Sequence, residues 1–258
     1  MTRIRSVARA AQILLFLGEQ PDGRTAKETA IALALPVPTA YHLLGTLVGE
    51  GLLAKDSRRR YHLGPQIGVL CDAFLQQVIP PEYLLGPLHE LAETTGETAY
   101  VVGWRNDQIV VLASVEGRSA VRVSGLSVGF QGAAHARASG KALLAFAPPG
   151  LRESYLRANP LEQLTARTIV DPAELRKELA RIRKRGCAVD EEEFRDGVAC
   201  VAAPVLAGGT AIAAYSISAP ASRFRRGRRE LVEAVLASAE GVRVLTDASA
   251  AAASSTAR

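Results

Sequence analysis

Two short apolar-periodic segments meet at Ala34-Leu35-Pro36, and a turn holding three consecutive arginines, Arg58-Arg59-Arg60, follows soon after. No other feature of the chain constrains its fold as tightly. A residue that precedes proline is pushed out of the helical region, so Leu35-Pro36 separates two helices and cannot lie inside one. Thr25, with Glu28 three residues on, is a capping-box pattern that starts the first helix, 26–33. Pro38 opens the second helix, 38–50, at a position where the first turn tolerates proline. Ala40, Leu43, Leu44, Leu47 and Val48 form its apolar face, and Gly51 is its stop. An earlier helix carries Val7, Ala10, Ala11, Leu14, Leu15 and Leu17 at helical spacing and ends between Gly18 and Gly23. Behind the second helix, 52–55 and 60–63 read as two short strands joined through Asp56-Ser57-Arg58-Arg59.

Helix, tight turn, helix and basic hairpin is the pattern of a winged helix-turn-helix. Such a unit sets its second helix in the major groove of DNA and brings a basic loop to the neighbouring phosphates. The apolar residues of 38–50 leave Thr39, Tyr41, His42 and Thr46 on the opposite face. With Thr25 and Pro38 at the two helix starts, and with Arg58, Arg59 and Arg60 on the wing, these are the expected DNA contacts. Lys55 adds to the wing's charge. Residues 1–65 hold nine Lys/Arg against five Asp/Glu, a net +4 out of +5 for all 258 residues. The charge is therefore concentrated where DNA would be met, and the remainder of the chain is close to neutral.

The rest of the composition excludes several classes. No run of apolar residues is long enough for a membrane-spanning helix. The apolar stretch behind the basic N-terminus is interrupted by Arg9, Gln12, Glu19 and Gln20, unlike a secretory signal. Three cysteines, Cys71, Cys187 and Cys200, are widely spaced, and His42, His62, His89 and His135 are not placed near them as metal ligands would be. Neither a disulfide framework nor a metal site is expected, no cofactor is called for, and a reducing cytoplasm is the expected location.

Gly64-Pro65 marks a boundary. A linker helix is expected over 66–79, stopped by Pro80-Pro81. A second domain, 80–246, opens with a helix over 81–95 and then alternates strands and helices. The strands are 98–104, 108–115, 121–124, 188–194, 198–206 and 210–218. Asn106-Asp107 and Gly208-Gly209 are two-residue hairpin signals. A short helix over 139–146 closes at Pro148-Pro149. A long one is capped by Asp171 and ended by Gly186, and a last helix runs over 226–245. The Ala/Ser-rich tail 247–258 is read as disordered. The fold class is α+β, a sheet with helices on its faces and ends.

Within this second domain, Ala138-Ser139-Gly140 precedes a helix and offers backbone N–H groups to an anion. Asp190 and Cys200 lie on neighbouring strand segments. Ser216 and Ser218 are two apart on one strand and so share a face. Polar groups on otherwise apolar strands need partners when buried, and a small acid would supply them.

Several motifs, taken in order, resemble the IclR family of bacterial transcriptional regulators. In the first domain they are SVARA at 6–10, LPVPTAYHLL at 35–44, GEGL at 49–52 and RYHLG at 60–64. In the second they are HARASGKALL at 135–144, TIVDP at 168–172, RGCAVDEE at 185–192, GVACVAAP at 197–204 and SISAP at 216–220. The resemblance spans about residues 4–245. It implies a winged helix-turn-helix joined by a helix to a GAF-like antiparallel-sheet effector domain. It further implies a homodimer or dimer of dimers, double-stranded operator DNA as partner, and a small organic acid, a carboxylate or aromatic acid, as effector. Transferred residue by residue, it implies effector contacts at Ala138, Ser139, Gly140, Asp190, Cys200, Ser216 and Ser218, with Val121 and Gly132 on an apolar wall. Two departures matter. The recognition helix lacks the family's Arg or Lys near Val37, Leu43 and Gly45, which shifts weight to Tyr41, His42 and the wing. Gly132-Ala133-Ala134 replaces a bulkier run, which suggests a roomier pocket. Two other readings of the same residues stand beside this one: a Cys200 enzyme with His135 as base and Asp190 as orienter, and an adaptor that keeps the winged fold without binding DNA.

Overall fold

The structure, a computed structural model, describes residues 4–119 and 126–256. The strand expected at 121–124, and Val121 with it, lie outside the described residues. The chain divides into two compact units, Met1–Gln77 and Val78–Arg258.

The first unit contains α1 (Arg5–Gly18), α2 (Ala26–Ala32), α3 (Val37–Gly49), β1 (Leu53–Lys55), β2 (Tyr61–Leu63) and α4 (Pro65–Val78). The Thr25 capping box forms in full: its hydroxyl accepts from Glu28 N, and the Glu28 carboxylate accepts from Thr25 N. The turn between α2 and α3 is a Schellman motif in which Ala34 N donates to Ile31 O and Leu35 N to Ala30 O. Ala34 takes the left-handed position, at φ 49°. The bend between α2 and α3 is 116°, within the range for helix-turn-helix pairs. Gly51, at φ 70°, ends α3 through a second Schellman motif, with Leu52 N donating to Leu47 O. Ile13, Leu17, Ala26, Leu44, Leu47, Leu53 and Tyr61 are the buried core these turns bring together.

The second unit starts with a 3-10 turn (Glu82–Leu84) and α5 (Leu85–Thr95), where one longer helix is expected from the sequence. It continues with β3 (Thr98–Arg105), β4 (Gln108–Val115), α6 (Ala138–Phe146), α7 (Pro149–Ala158), α8 (Pro172–Arg185), β5 (Ala188–Glu191), β6 (Val198–Ala207), β7 (Thr210–Pro220), α9 (Ala221–Arg226) and α10 (Arg228–Thr256). The sheet is antiparallel throughout, in the order β4-β3-β7-β6-β5. Both hairpins turn as their sequences suggest: Asn106, Asp107, Gly208 and Gly209 all have positive φ, as a type I′ turn requires.

Alternation along the strands sorts their residues into two cores. Val101, Val201 and Ile217 pack against α5, α9 and α10 through Leu88, Phe224 and Val235. Tyr100, Val102 and Ala202 pack on the other face with Leu143, Leu144, Leu179 and Ile182. Helices thus cover both faces, which is why these strands read as nearly continuous apolar runs.

Two segments differ from their expected structure. Pro148-Pro149 does not only close α6; Pro149 sits in the first turn of α7, a helix the sequence reading lacks. The tail read as disordered from 247 onward continues α10 as helical backbone to Thr256, in keeping with alanine's high helix propensity. Among the described residues no single helix is long and apolar enough to cross a membrane.

Candidate functional site

On the first unit, the outward face of α3 exposes Pro38, Tyr41, His42 and Thr46, with Thr39 half-buried. The Thr46 hydroxyl donates to His42 O at 2.9 Å, which leaves its oxygen free to accept. The wing turn is held by Asp56, whose Oδ1 accepts from Arg60 N at 2.8 Å and whose Oδ2 lies 3.2 Å from His62 Nε2. This geometry sends Arg58 and Arg59 outward. Arg59 occupies the left-handed region at φ 60°. Arg60 turns inward: its Nη1 donates to Gly23 O at 3.0 Å and lies 3.9 Å from Glu28. Two expected DNA contacts are therefore engaged structurally, Thr25 in its capping box and Arg60 in tying the wing to the α1–α2 connection.

In the second unit, strand register builds a polar row across the face under α6. Thr98 pairs with Ser218, Ser218 with Cys200, and Cys200 with Asp190. One step along, Tyr100 pairs with Ser216. The α6 N-terminus stands over this row, and the segment after β5 closes the side. Together they line a small, partly enclosed cavity. Ala138, Ser139, Asp190, Cys200, Ser216 and Ser218 line it together. Gly140 does not; a Cβ there would run into the Ala134 carbonyl, so this glycine serves close packing of α6. Gly132 does not line it either. Its φ is 92° and nothing lies within 4 Å of the place a Cβ would take, so backbone conformation, not pocket volume, accounts for the glycine.

The cavity also includes Tyr100, Leu126, Arg137, Phe194, Arg195 and Val198, none of which the sequence reading picked as a contact. Arg137 stood within the HARASGK motif. A charged side chain in a run of small residues just ahead of a helix was the available signal. Tyr100 and Phe194 depend on strand register and loop path, which are not local properties.

The electrostatics are those of a dry site. Burial pushes Asp190 up to about 7, against the pull of Lys141 and the two N–H groups that bond its Oδ1, Glu193 N at 2.7 Å and Phe194 N at 3.3 Å. Burial lowers Arg137 to about 10, which still leaves it cationic at neutral pH. Burial, followed by the Cys200 charge, pushes Tyr100 up to about 12. Lys141 is fully buried and pairs with Glu193 at 2.5 Å. Thr165 and Thr168 hold the same segment through the Glu192 and Glu193 carbonyls, so the loop beside the cavity is fastened from below.

The residues of the nucleophile reading do not assemble as a triad. His135 Nε2 sits 2.9 Å from Glu162 O, and burial lowers its pKa. Cys200 Sγ is 3.0 Å from Ser218 Oγ, and burial together with the Asp190 charge pushes the thiol up. An activated cysteine needs the opposite shift.

Comparisons with known proteins agree with this fold. Residues 6–57 match the family described as the IclR helix-turn-helix domain, and residues 82–244 match the C-terminal domain of bacterial transcriptional regulator IclR. The chain is 35% identical over 227 residues to the HTH-type transcriptional regulator BhcR of Paracoccus denitrificans, covering 87% of this chain and 81% of that protein. It is also 35% identical over 238 residues to the HTH-type transcriptional regulator Rv1719 of Mycobacterium tuberculosis, covering 91% and 89%. Among solved structures, it is similar to the Thermotoga maritima IclR crystal structure, with a TM-score of 0.70, 28% identity, and coverage of 93% of this chain and 98% of that one.

Proposed function

The chain belongs to the IclR family of bacterial transcriptional regulators, and from that premise we propose that it binds a duplex operator in the cytoplasm and answers to a small organic acid. Tyr41, His42, Thr39, Thr46 and the N-terminal turn at Pro38 read the groove, while Arg58 and Arg59 meet phosphates. The acid occupies the cavity beneath α6. The observation that carries the reading is that cavity: a largely apolar enclosure over Ser216, Ser218 and Asp190, all buried. Polar groups of this kind call for hydrogen-bonding partners.

Self-association is part of the same proposal. The first unit exposes Ile4 (66%), Val7 (63%) and Leu15 (73%) along α1, and Val69 and Leu70 on α4. Exposed apolar side chains such as these suit an interface between copies. A homodimer, or a dimer of dimers, places two winged units on two half-sites, and effector binding alters their match by favouring one arrangement.

Fluorescence anisotropy with the DNA upstream of the chain's own gene tests the first half. Salt-sensitive binding that an organic acid raises or lowers is the expected result. Absence of salt-sensitive binding at any concentration favours the adaptor reading instead.

A further inference from the structure

Arg137 is the N-cap residue of α6. It is 2% exposed, and among the described residues none of its three guanidinium nitrogens has a hydrogen-bond partner. A guanidinium carries five N–H donors, and burying it without an anion is strongly unfavourable. The groups around it do not meet that need. The Phe130 ring lies 5.1 Å from the guanidinium carbon, a favourable cation–π contact that satisfies no N–H. Asp190, one of the groups whose charge acts on Arg137, spends Oδ1 on the backbone N–H groups of Glu193 and Phe194. Glu193 is engaged with Lys141.

A second feature converges on the same place. Ala138 and Ser139, in the first turn of α6, line the cavity beside Arg137, and α6 has neither a side-chain cap nor an acidic residue in that turn. Its N-terminal N–H groups and the positive end of its dipole are thus left for an anion. The rest of the lining includes Tyr100, Leu126, Phe194 and Val198, which suit an apolar body, and the exposed Arg195.

We propose that Arg137 anchors the effector's carboxylate against the first turn of α6, so that the cavity selects carboxylic acids with a compact apolar body over their neutral counterparts. This rests on the reading of the cavity as the effector site and adds to it the anchoring residue and the ligand's charge. The carboxylate takes the planar fork of the guanidinium in a bidentate pair. Its body lies toward Phe194 and Leu126, and any further oxygen faces Ser216 and Ser218.

The test is thermal unfolding of the full chain, wild type, Arg137→Met and Arg137→Lys, at matched ionic strength. The probes are acetate, pyruvate and benzoate, each beside its own amide. The expected result is that at least one acid raises the wild-type melting temperature and its amide does not. In Arg137→Met the acid concentration needed for the same shift rises at least tenfold, and Arg137→Lys recovers part of the response. Without ligand, Arg137→Met melts at or above the wild-type temperature, because it removes a charge that had no partner. Four outcomes overturn the proposal: equal acid shifts in wild type and Arg137→Met, amides acting as well as acids, no acid shifting the wild type, or an unliganded Arg137→Met that melts well below wild type. Equal acid shifts leave the effector site standing without this anchor. Anisotropy with the upstream DNA, run on the same variants, reports separately whether the regulator reading holds.

Discussion

The two units keep their charge in opposite places. In the first, the cations proposed for recognition, Arg58 and Arg59, are exposed, and the buried core is apolar apart from the Tyr61 hydroxyl and the Thr29 hydroxyl, which donates to Thr25 O. In the second, Arg137, Lys141, Asp190, Ser216 and Ser218 are all buried among alanine and leucine. The contrast reflects what each is suited to meet. A polyanion as large as DNA stays outside the protein, so charges that attract it work from the surface and are screened by salt. A small acid can be enclosed, and a charge that meets it inside a dry cavity acts with little screening. The cost of that arrangement falls on the unliganded second unit, which must hold polar groups away from water.

That cost gives the largest expected effect. Burial lifts Asp190 from its ordinary 3.8 to about 7. The folded chain therefore keeps this proton through a range in which the unfolded chain has released it. Its contribution is fully present below pH 4 and is lost as pH rises toward 7. A shift of that size corresponds to on the order of 4 kcal/mol. Asp190→Asn keeps an oxygen for the Glu193 and Phe194 N–H groups and cannot ionise. Urea unfolding at pH 4, 5.5 and 7 is expected to show wild-type stability falling relative to Asp190→Asn across the series. Parallel curves would remove the claim that the second unit stores a titratable charge. Acid binding follows the same sign. With Arg137, Lys141, Glu193 and Cys200 also facing this site, carboxylate affinity weakens several-fold from pH 6 to 8 as Asp190 ionises, as calorimetry would measure.

The first unit is sharpened by separating its arginines. Arg58→Ala with Arg59→Ala is expected to cost about 1–3 kcal/mol of operator affinity and to reduce the slope of log K against log salt by about 2. Arg60→Ala is expected to leave that slope nearly unchanged and to lower the unit's melting temperature, because its guanidinium donates to Gly23 O. If the salt slopes of the two variants cannot be told apart, the division of the wing into outward and inward arginines fails.

What could be read from the sequence differs between the units for the same physical reason. The winged unit is written in local punctuation: a capping box at Thr25, a proline after Leu35, a glycine at 51. Each acts within a few residues, and the elements fall within one or two residues of their expected ends. The polar row of Ser216, Ser218, Cys200 and Asp190 was legible as strand alternation plus family resemblance. Arg137 is marked only as a charge among small residues ahead of a helix; its burial depends on how α6 seats on the sheet, a long-range fact. Pro149 misled because proline that ends one helix can also begin the next. Gly132 misled because a missing side chain was read as added volume when the backbone conformation accounts for it.

The smallest effect probes the point where local punctuation is imperfect. Ala34 takes the left-handed position of the α2–α3 turn at φ 49°, where a Cβ is disfavoured by about 1 kcal/mol. Glycine removes that strain and adds freedom to the unfolded chain, so the two effects partly cancel. Ala34→Gly is expected to stabilise the first unit by about 0.5 kcal/mol, within the range set by the strain. A unit of this size answers with a rise of a few degrees in its melting temperature. The turn is exposed and its two hydrogen bonds, Ala34 N to Ile31 O and Leu35 N to Ala30 O, are made by backbone alone, so the substitution removes no contact that α3 uses. Operator affinity should therefore stay at the wild-type level while stability rises. A fall in melting temperature would mean that the alanine, by limiting the unfolded chain, contributes more than its strained φ costs. The turn between the helices would then owe its stability to the rigidity of Leu35-Pro36 rather than to the capping geometry.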